Sequence, residues 1–377
     1  MKSEMKTKAL RFLSDIQTGP FGSQLHKEDY VDDGTPIVTV EHLGNRVFTE
    51  QNLPRVSNED KQRLSKYILK EGDIVFSRVG SVDRCSFVDS QHTGWLFSGR
   101  CLRVRPFEEI SPLFLYYFFC LESTKKFIRN IAVGATMPSI NTKLMGEIEV
   151  SYPDKQVQEK IANLLGAIDN KIELNNAIND NLEAAAQAIY KKMFVDDVDS
   201  ANLPDGWKII ALENVAELSA GGDRPAVYSD YPTDVCNVPI FSNGIDKEGL
   251  YGFTDKAKVF EESVTVSARG TVGYVFLREK PYVPIVRLIS VVPNTMHITA
   301  KYLLFALSAI DLHSTGTSQQ QITVPDFKKR LILVPNKQSL DTFMQRITPL
   351  FNSIKDNKAE IESLLSLQAN FLTLLSR

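Results

Sequence analysis

The sequence has little net charge, no long apolar run and few cysteines, and each shortage argues against a class of protein. Its 377 residues include 43 basic and 46 acidic side chains, which leave a formal net charge of −3. No global positive field therefore marks a nucleic-acid partner. Any surface for DNA must be local, or must be supplied partly by another subunit.

The longest apolar run, residues 113–121, is too short to cross a bilayer, and the lysine-rich start is not followed by an apolar segment. We therefore expect a cytoplasmic protein with no signal peptide and no membrane partner. The four cysteines show no paired spacing and the five histidines are scattered. Neither a disulfide framework nor a metal site is predicted.

What the sequence does contain is a heptad pattern that occurs twice. Every seventh residue from 161 to 189 is apolar or an amide, and the same series returns 182 positions later. The two series are Ile161, Ile168, Asn175, Leu182 and Ile189, and Phe343, Leu350, Asn357, Leu364 and Phe371. A seven-residue repeat places a stripe on one helix face that requires a partner helix. We expect each helical arm to pair with the other.

Two residues at nearly matching positions, Gly166 and Pro349, disfavour helix, so both arms are expected to kink or break there. Asn175 and Asn357 share one position of the seam. We interpret them as fixing the register, because an amide that faces an amide is satisfied, whereas a slipped pairing buries it alone. The other interpretation is that each faces solvent at a gap.

The repeat extends beyond the helices and predicts an internal duplication. Ile140 and Pro153 match Ile322 and Pro335 at the same shift, while farther upstream the register drifts. Short β-type runs at 36–40, 73–77 and 101–105 are separated by turn signals, and a helix is predicted over 113–130. The predicted fold is of the α+β class, with two related mixed α/β domains at 1–152 and 196–335. Two long helices, 153–195 and 336–377, are expected to separate them as a coiled coil.

The sequence resembles the specificity subunit of type I restriction-modification systems, essentially over its whole length. Three segments of the first copy and two of the second carry the resemblance. They are Thr18-Gly-Pro-Phe-Gly-Ser23, Gly134-Ala-Thr-Met-Pro-Ser-Ile-Asn141, Val150-Ser-Tyr-Pro-Asp-Lys-Gln-Val-Gln-Glu-Lys-Ile161, Leu203-Pro-Asp-Gly-Trp207 and Leu333-Val-Pro-Asn336. The first copy lacks a counterpart of 203–207, and Ser318-Gln-Gln-Gln321 replaces the form seen at 136–139.

The resemblance implies a function and a set of partners. Each domain would be a target recognition domain that reads one half of a split, asymmetric site in double-stranded DNA. The helices would form an antiparallel spacer and dock modification subunits, two of them, which carry the methyltransferase chemistry and its S-adenosylmethionine. Restriction subunits would join to make the nuclease. The chain itself would hold no cofactor and no metal, and would not be an enzyme.

Candidate base-reading residues are polar side chains in loops beside glycines, where a backbone can approach a groove. Arginine can bind guanine through two atoms, and asparagine or glutamine can do so with adenine. The candidates are Ser23, Gln24, Ser77, Arg78, Ser81, Arg84, Thr136, Ser139, Asn141, Arg224, Ser242, Asn243, Arg269, Thr271, Gln319, Gln320 and Gln321. Each could instead be a turn residue or a phosphate contact. Basic clusters at 125–129 and 328–330 could hold phosphates or form a solvated edge.

No catalytic set is visible in the sequence. It has no glycine-rich phosphate loop and no Asn-Pro-Pro-Tyr or Asp-Pro-Pro-Tyr stretch of an amino-methyltransferase. Pro153-Asp154 and Pro325-Asp326 are only faintly similar to a nuclease signature. Two other functions stay open at this point: a self-contained methyltransferase or nuclease with two target-reading domains, and a DNA-binding regulator without a methyltransferase partner.

Overall fold

The computed structural model describes residues 5–20, 24–44, 46–196, 198–199, 201–310 and 321–375. The chain divides into two units by its internal contacts. The first unit comprises Met1–Ala177 with Asn357–Arg377, and the second comprises Ile178–Asp356. Because these limits fall inside both long helices, each unit contains part of each helix.

The first unit holds ten strands among its described residues. They are β1 (Lys6–Ala9), β2 (Ser14–Thr18), β3 (Tyr30–Val31), β4 (Thr35–Val38), β5 (Arg55–Val56), β6 (Ile74–Ser77), β7 (Cys85–Phe87), β8 (Leu96–Phe97), β9 (Cys101–Pro106) and β10 (Glu149–Tyr152). One sheet has the order β2-β9-β6-β7, another has the order β3-β5-β4-β8, and β1 pairs with β10. All four residues of β6 are buried, which explains its continuous apolar run.

Four short α-helices accompany these strands in the described part of the unit: α1 (Asn58–Arg63), α2 (Pro112–Cys120), α3 (Glu122–Ile131) and α4 (Thr142–Gly146). The prediction of one helix over 113–130 is wrong, because Leu121 is extended with φ −61° and ψ 132°. α2 is apolar almost all round and largely buried, whereas α3 buries only Thr124 and Ile128. The turn at Leu121 lets each helix present its own apolar face to the core.

The first long helix, α5, runs unbroken from Lys155 to Phe194. The break expected near Gly166 is therefore wrong, and packing explains the glycine instead. A Cβ at this position would lie 3.1 Å from a terminal methyl carbon of Leu113 on α2. Glycine thus allows α2 to lie close against the long helix, and the helix continues because its neighbours hold it.

The second unit repeats the sheet plan of the first. Its strands are β11 (Lys208–Ala211), β12 (Ala216–Ala220), β13 (Val238–Phe241), β14 (Leu250–Thr254), β15 (Ser263–Val266), β16 (Val275–Arg278), β17 (Val283–Pro284), β18 (Ile289–Pro293) and β19 (Leu331–Val334). The four-stranded order is β12-β18-β15-β16, a three-stranded sheet has the order β14-β13-β17, and β11 pairs with β19. Helices α6 (Ala300–Ser308) and α7 (Val324–Lys328) correspond to α2 and α4.

The second long helix, α8 (Lys337–Leu375), also continues, through Pro349. Pro349 is exposed. The missing backbone bond therefore falls on the side of the helix that faces solvent, where burial does not leave the freed carbonyl unsatisfied. The expected break is wrong here too.

The two long helices pair antiparallel inside the first unit. The Nε2 atom of Gln368 lies 2.5 Å from Asp169 Oδ1, and Asn175 Nδ2 lies 2.8 Å from Glu360 Oε2. As residue numbers rise along α5, those of its partners on α8 fall. In the second unit the pairing is aromatic, with the ring of Phe194 5.2 Å from that of Phe343. The predicted α+β fold, with two related domains and two long paired helices, is confirmed.

Candidate nucleic-acid interface

In the first unit, the loops that carry most of the sequence candidates meet at one edge of the sheet β2-β9-β6-β7. β2 ends at Thr18 opposite Leu102, and β6 ends at Ser77 opposite Cys101, where β9 begins. The turn after β6 and the loop before β9 therefore leave the sheet side by side. Antiparallel pairing thus places residues 78–84 and 98–100 at a common edge.

The segment 133–140 is fastened onto this edge by backbone hydrogen bonds. The amide of Gly80 donates to the Pro138 carbonyl at 2.8 Å, and the amide of Ile140 donates to the Arg78 carbonyl at 3.0 Å. Val133 and Ser139 exchange a further pair of backbone bonds. Two predicted reading loops that are far apart in sequence are thus held together.

Several candidate side chains of the first unit are engaged by the protein itself. Ser77 is buried and its hydroxyl donates to the Val79 carbonyl at 2.7 Å, so it does not suit a base contact. Asn141 caps α4 by accepting from the Leu144 amide. Arg84 donates to the Leu43 carbonyl. These three act in turns and caps, the role that stood as the alternative for each candidate.

The remaining first-unit candidates vary in exposure. Ser81 and Thr136 are exposed, and Ser139 donates to the Val133 carbonyl at 3.2 Å. Arg78 is half-buried and its Nη1 donates to the Gly99 carbonyl at 3.2 Å. The Gln24 side chain accepts a hydrogen bond from the Tyr67 hydroxyl at 2.6 Å. Ser23 lies outside the described residues.

The second unit forms a corresponding edge. β12 ends at Ala220 opposite Ile289, where β18 begins, and β15 ends at Val266 opposite the same residue. The amide of Ile322 donates to the Ala268 carbonyl at 3.0 Å, as Ile140 does to Arg78 in the first unit. Ile322 is thus fastened to this edge by the same kind of bond.

Asn243 occupies the centre of this second edge as a structural residue. Its Oδ1 accepts from the Ala268 amide at 2.8 Å, and its Nδ2 donates to the Val286 carbonyl at 2.7 Å. Both polar atoms are engaged by the protein, so the fold sets the orientation of this amide. Asn243 therefore suits a clamp between two turns better than a base reader.

The other second-unit candidates surround that clamp. Arg269 and Gln321 are exposed, and Ser242 is half-buried. The Arg224 guanidinium lies 4.6 Å from the centre of the Tyr228 ring. The Thr271 hydroxyl is buried without a hydrogen-bond partner. Gln319 and Gln320 lie outside the described residues. That any of these side chains contacts DNA stays a prediction.

Two arginines that were not among the candidates, Arg100 and Arg287, are exposed on the same edges. Arg100 stands one residue before β9 and Arg287 two residues before β18, in Arg100-Cys-Leu-Arg-Val and Arg287-Leu-Ile-Ser-Val. That local pattern was a usable signal. The equivalence of the two arginines does not show at the 182-residue shift of the helical repeat, because they are 187 positions apart.

The basic clusters are only partly available to a ligand. Arg129 lies 2.5 Å from a carboxylate oxygen of Glu122 and 2.5 Å from one of Asp83. The hydrogen bond to Glu122, and then the one to Asp83, raises the pKa of the Arg129 guanidinium. Lys126 in the first cluster and Lys329 in the second are exposed. A phosphate contact by these lysines stays a prediction.

The seam residues differ in their surroundings. Asn175 is fully buried, its Nδ2 donates to Glu360, and its Oδ1 has no partner. Lys171 Nζ lies 3.2 Å from the same carboxylate. The hydrogen bond from Asn175 and then the one from Lys171 hold the pKa of Glu360 below its ordinary value. Asn357 is half-buried. The bond found for Asn175 is to a carboxylate, and a role in register stays a prediction.

Among the described residues, no group of three or more His, Cys, Asp or Glu side chains is placed to hold a metal ion. No helix in that part of the chain combines the length and apolar character that a membrane span requires.

The family model described as "Type I restriction modification DNA specificity domain" matches residues 2–184 and again 204–365. Two Mycoplasma pneumoniae proteins assigned as type I specificity subunits are 29% and 31% identical to the chain. Each match covers 66% of this chain, with 67% and 76% of the relatives. The HindI specificity subunit of Haemophilus influenzae is 22% identical over 83% of this chain and 88% of its own. The type I S subunit of M. genitalium shares the fold, with a TM-score of 0.63 at 16% identity, covering 98% of this chain and 96% of its own.

Proposed function

The chain belongs to the family of type I restriction-modification DNA specificity proteins, and on that premise we propose that each of its two domains reads one half of a bipartite, asymmetric DNA site. The reading surface in each domain is the sheet edge described above. Arginine and amide side chains there would reach base edges in the major groove. The exposed candidates Arg269 and Gln321 in the second domain, with Ser81 and Thr136 in the first, are the residues best placed for this role.

One observation carries the proposal: the same four-strand order and the same edge occur twice, with different side chains. The turn after β6 contains Gly80 and Ser81, whereas the matching turn after β15 contains Arg269, Gly270 and Thr271. Both glycines have positive φ, 75° and 69°. A shared frame with unlike loops supports two readers of unlike sequences.

We propose that the long helices set the separation of the two half-sites. A continuous helix of 40 residues is about 60 Å long at about 1.5 Å per residue. Half-sites about one helical turn of DNA apart, roughly 34–36 Å between centres, are the expected arrangement for paired readers. The continuity of α5 and α8 supports this role, since a broken helix could not hold a distance.

We further propose that the chain is non-catalytic and works with two modification subunits, which bind S-adenosylmethionine and methylate the DNA, and with restriction subunits that cut it. The relatives support this, because they are named as specificity subunits of type I restriction enzymes. A self-contained methyltransferase or nuclease is not favoured by those names.

The test is to reconstitute the chain with a type I modification subunit from the same host and to map methylated sites in host DNA. We expect one bipartite sequence. Replacing residues 1–152 with those of a relative should change one half of that sequence and leave the other half intact. If both halves change, the modular interpretation is wrong, and if the purified chain methylates or cuts DNA alone, the non-catalytic role is wrong.

A further inference from the structure

The exposed arginines Arg100 and Arg287 occupy equivalent turns of the two domains. Each turn links a short strand to the long central strand of its domain, β8 to β9 in the first and β17 to β18 in the second. The short strand runs parallel to its neighbour in both cases, β4 in the first domain and β13 in the second. Both arginines therefore leave the sheet at the proposed reading edge.

Backbone hydrogen bonds establish the equivalence without reference to side chains. Three bonds of the first turn recur in the second with matching donors and acceptors. The Ser98 amide donates to the Val38 carbonyl at 2.8 Å, as Ile285 does to Phe241 at 2.9 Å. The Cys101 amide donates to the Ser98 carbonyl at 2.9 Å, as Leu288 does to Ile285 at 3.0 Å. The Gly19 amide donates to the Cys101 carbonyl at 3.2 Å, as Gly221 does to Leu288 at 2.8 Å. The arginine is the third residue of each four-residue turn.

A glycine presses on each turn from the adjacent strand end. A Cβ on Gly19 would lie 2.1 Å from the Ser98 carbonyl oxygen, and one on Gly221 would lie 2.7 Å from the Ile285 nitrogen. No other residue fits such an approach. Both turns are therefore pinned against a neighbouring strand, and the position of each arginine backbone is fixed.

The second turn is held at a conformational cost. Val286 and Arg287 have φ of 52° and 61°, a region that is rare for a β-branched residue. Their amides donate to Gly222 and Gly221, and Asn243 donates to the Val286 carbonyl. Strain that the surroundings hold in place is typical of functional sites. The strained backbone at Val286 and Arg287 therefore indicates that the direction of this turn serves a function.

Both guanidinium groups are available to a ligand. Within the part of the chain that the structure describes, neither Arg100 nor Arg287 takes part in an ion pair or a side-chain hydrogen bond. Arg129, by contrast, is engaged by two carboxylates. In a chain with a formal net charge of −3, two such cations at matching places on two reading edges form local positive sites.

We propose that Arg100 and Arg287 each hold a backbone phosphate of the DNA beside the half-site that its domain reads, an inference that rests on the proposed function. The two domains have unlike loops and read unlike bases, but every half-site offers the same phosphates. A residue type that is retained at one equivalent position of both domains fits the ligand that both half-sites share. Phosphate contacts of this kind position a protein on the duplex without carrying sequence information.

The test is DNA binding by the reconstituted complex at several salt concentrations, with Arg100→Ala, Arg287→Ala and the double variant. Each lost phosphate contact should lower the slope of log K against log salt by about one in magnitude and weaken binding to matched and unmatched duplexes alike. In the double variant, the magnitude of this slope should fall by about two. The methylated sequence should stay the same in all three.

Matched variants separate this role from others. Arg100→Lys and Arg287→Lys keep the charge and should keep most of the slope, whereas a two-atom guanine contact would not survive that change. Lys280→Ala removes an exposed cation just beyond the far end of β16, opposite the reading edge, and should leave the slope unchanged. Unchanged circular dichroism confirms that each variant is folded.

Two results would overturn the inference: an unaltered salt slope in the double variant, or a change of a recognised base in either single variant. Failure of the proposed function is distinguishable from both, because the wild-type complex itself would then show no bipartite preference.

Discussion

In the first unit, α2 meets both long helices at one shared carboxylate, in addition to its apolar contacts. The Tyr117 hydroxyl donates to Asp169 Oδ2 at 2.6 Å, and Gln368 Nε2 donates to Asp169 Oδ1 at 2.5 Å. Burial, followed by the charge of Asp169, raises the pKa of the Tyr117 hydroxyl, which stays a donor at neutral pH. A short helix and both long helices thus share one carboxylate, which we call the polar joint (Tyr117, Asp169 and Gln368).

In the second unit, apolar side chains occupy the positions that correspond to Tyr117, Asp169 and Gln368. Phe305 is the sixth residue of α6, as Tyr117 is of α2, and Phe351 stands 182 positions after Asp169. Their rings lie 6.1 Å apart at 77°. Ala186, which corresponds to Gln368, is fully buried in the same cluster. We call Phe305, Phe351 and Ala186 the apolar joint.

One helix geometry is thus stabilised by polar contacts in one unit and by apolar contacts in the other, and the two kinds of contact are not interchangeable side chain by side chain. If the halves of the helix pair were exchanged, Asp169 would face an alanine and lose a hydrogen bond, and Phe351 would face a glutamine. Burying a polar group without a partner costs about 1–3 kcal/mol. The unlike joints therefore favour one pairing of helix halves over its pseudo-symmetric alternative.

The largest expected effect comes from the aromatic cluster around the apolar joint. Phe343 is fully buried and its ring contacts those of Phe194 and Phe305. Phe343→Ala should lower the free energy of unfolding of the second unit by about 3–5 kcal/mol. Trp207 packs on Phe194, so its fluorescence in a Trp95→Phe background reports on this unit during urea unfolding.

Phe260→Ala is the matched control, because this side chain is 66% exposed. It should change the same unfolding free energy by less than about 0.5 kcal/mol. Equal losses in the two variants would contradict a stabilising role for the cluster.

Removal of one side chain of the polar joint should leave other polar groups without a hydrogen-bond partner, which cannot happen in the apolar joint. Asp169→Ala leaves Tyr117 and Gln368 without their shared acceptor and should cost about 2–3 kcal/mol. Converting the whole joint, with Tyr117→Phe, Asp169→Phe and Gln368→Ala, should cost less than the single change, because no polar group is then left unpaired. Unfolding followed by Trp95 in a Trp207→Phe background measures both. If the triple variant has a lower free energy of unfolding than Asp169→Ala, apolar side chains cannot replace the polar joint in this unit.

A smaller effect is expected where a loop of the first domain touches α5. Arg46 Nη1 donates to Asn170 Oδ1 at 2.5 Å and lies 3.7 Å from Glu173 Oε1. Arg46→Ala should cost about 1–2 kcal/mol. A double-mutant cycle with Asn170→Ala should show a coupling of at least about 0.5 kcal/mol. Additive losses would mean that the bond to Asn170 contributes nothing and that Arg46 stabilises the unit through Glu173 or through packing.

The smallest effect concerns pH. Asn175 and Lys171 hold the pKa of Glu360 below its ordinary value, so the folded state binds the proton more weakly than the unfolded state. The stability that this provides is present above the unfolded value, about 4.5, and is lost as pH falls through the lower folded value. Thermal unfolding of Glu360→Gln should therefore show a slightly shallower decline in acid than the wild type. Parallel declines would exclude this contribution.

The periodic parts of the molecule were predictable because their signals are local and repeated. The heptad series placed both long helices, and the β-type runs at 73–77 and 101–105 became central strands. The turn at Leu121 was missed, because the sequence there favours helix and only the burial of two different faces separates α2 from α3. Gly166 was misinterpreted for a similar reason, since its explanation lies in Leu113, more than fifty residues away.

The proposed reading edge was predictable as a place but not as a set of side chains. Loops beside Gly80 and Gly270 do lie where strands end together. Ser77 and Asn243 have the residue types that a base contact requires, but the fold engages their polar atoms in turns. Which polar group is free depends on long-range hydrogen bonds, and the sequence does not display those.

The way in which the units divide the long helices bears on how the protein is made. The second unit is continuous in sequence, from Ile178 to Asp356, whereas the first needs residues from 357 onward to cover its core with Phe371, Leu372 and Leu375. On the ribosome, the first domain is synthesised before the second, but its apolar surface stays uncovered until α8 emerges. We expect nascent chains released before residue 371 to be cleaved by protease in the first domain and spared in the second.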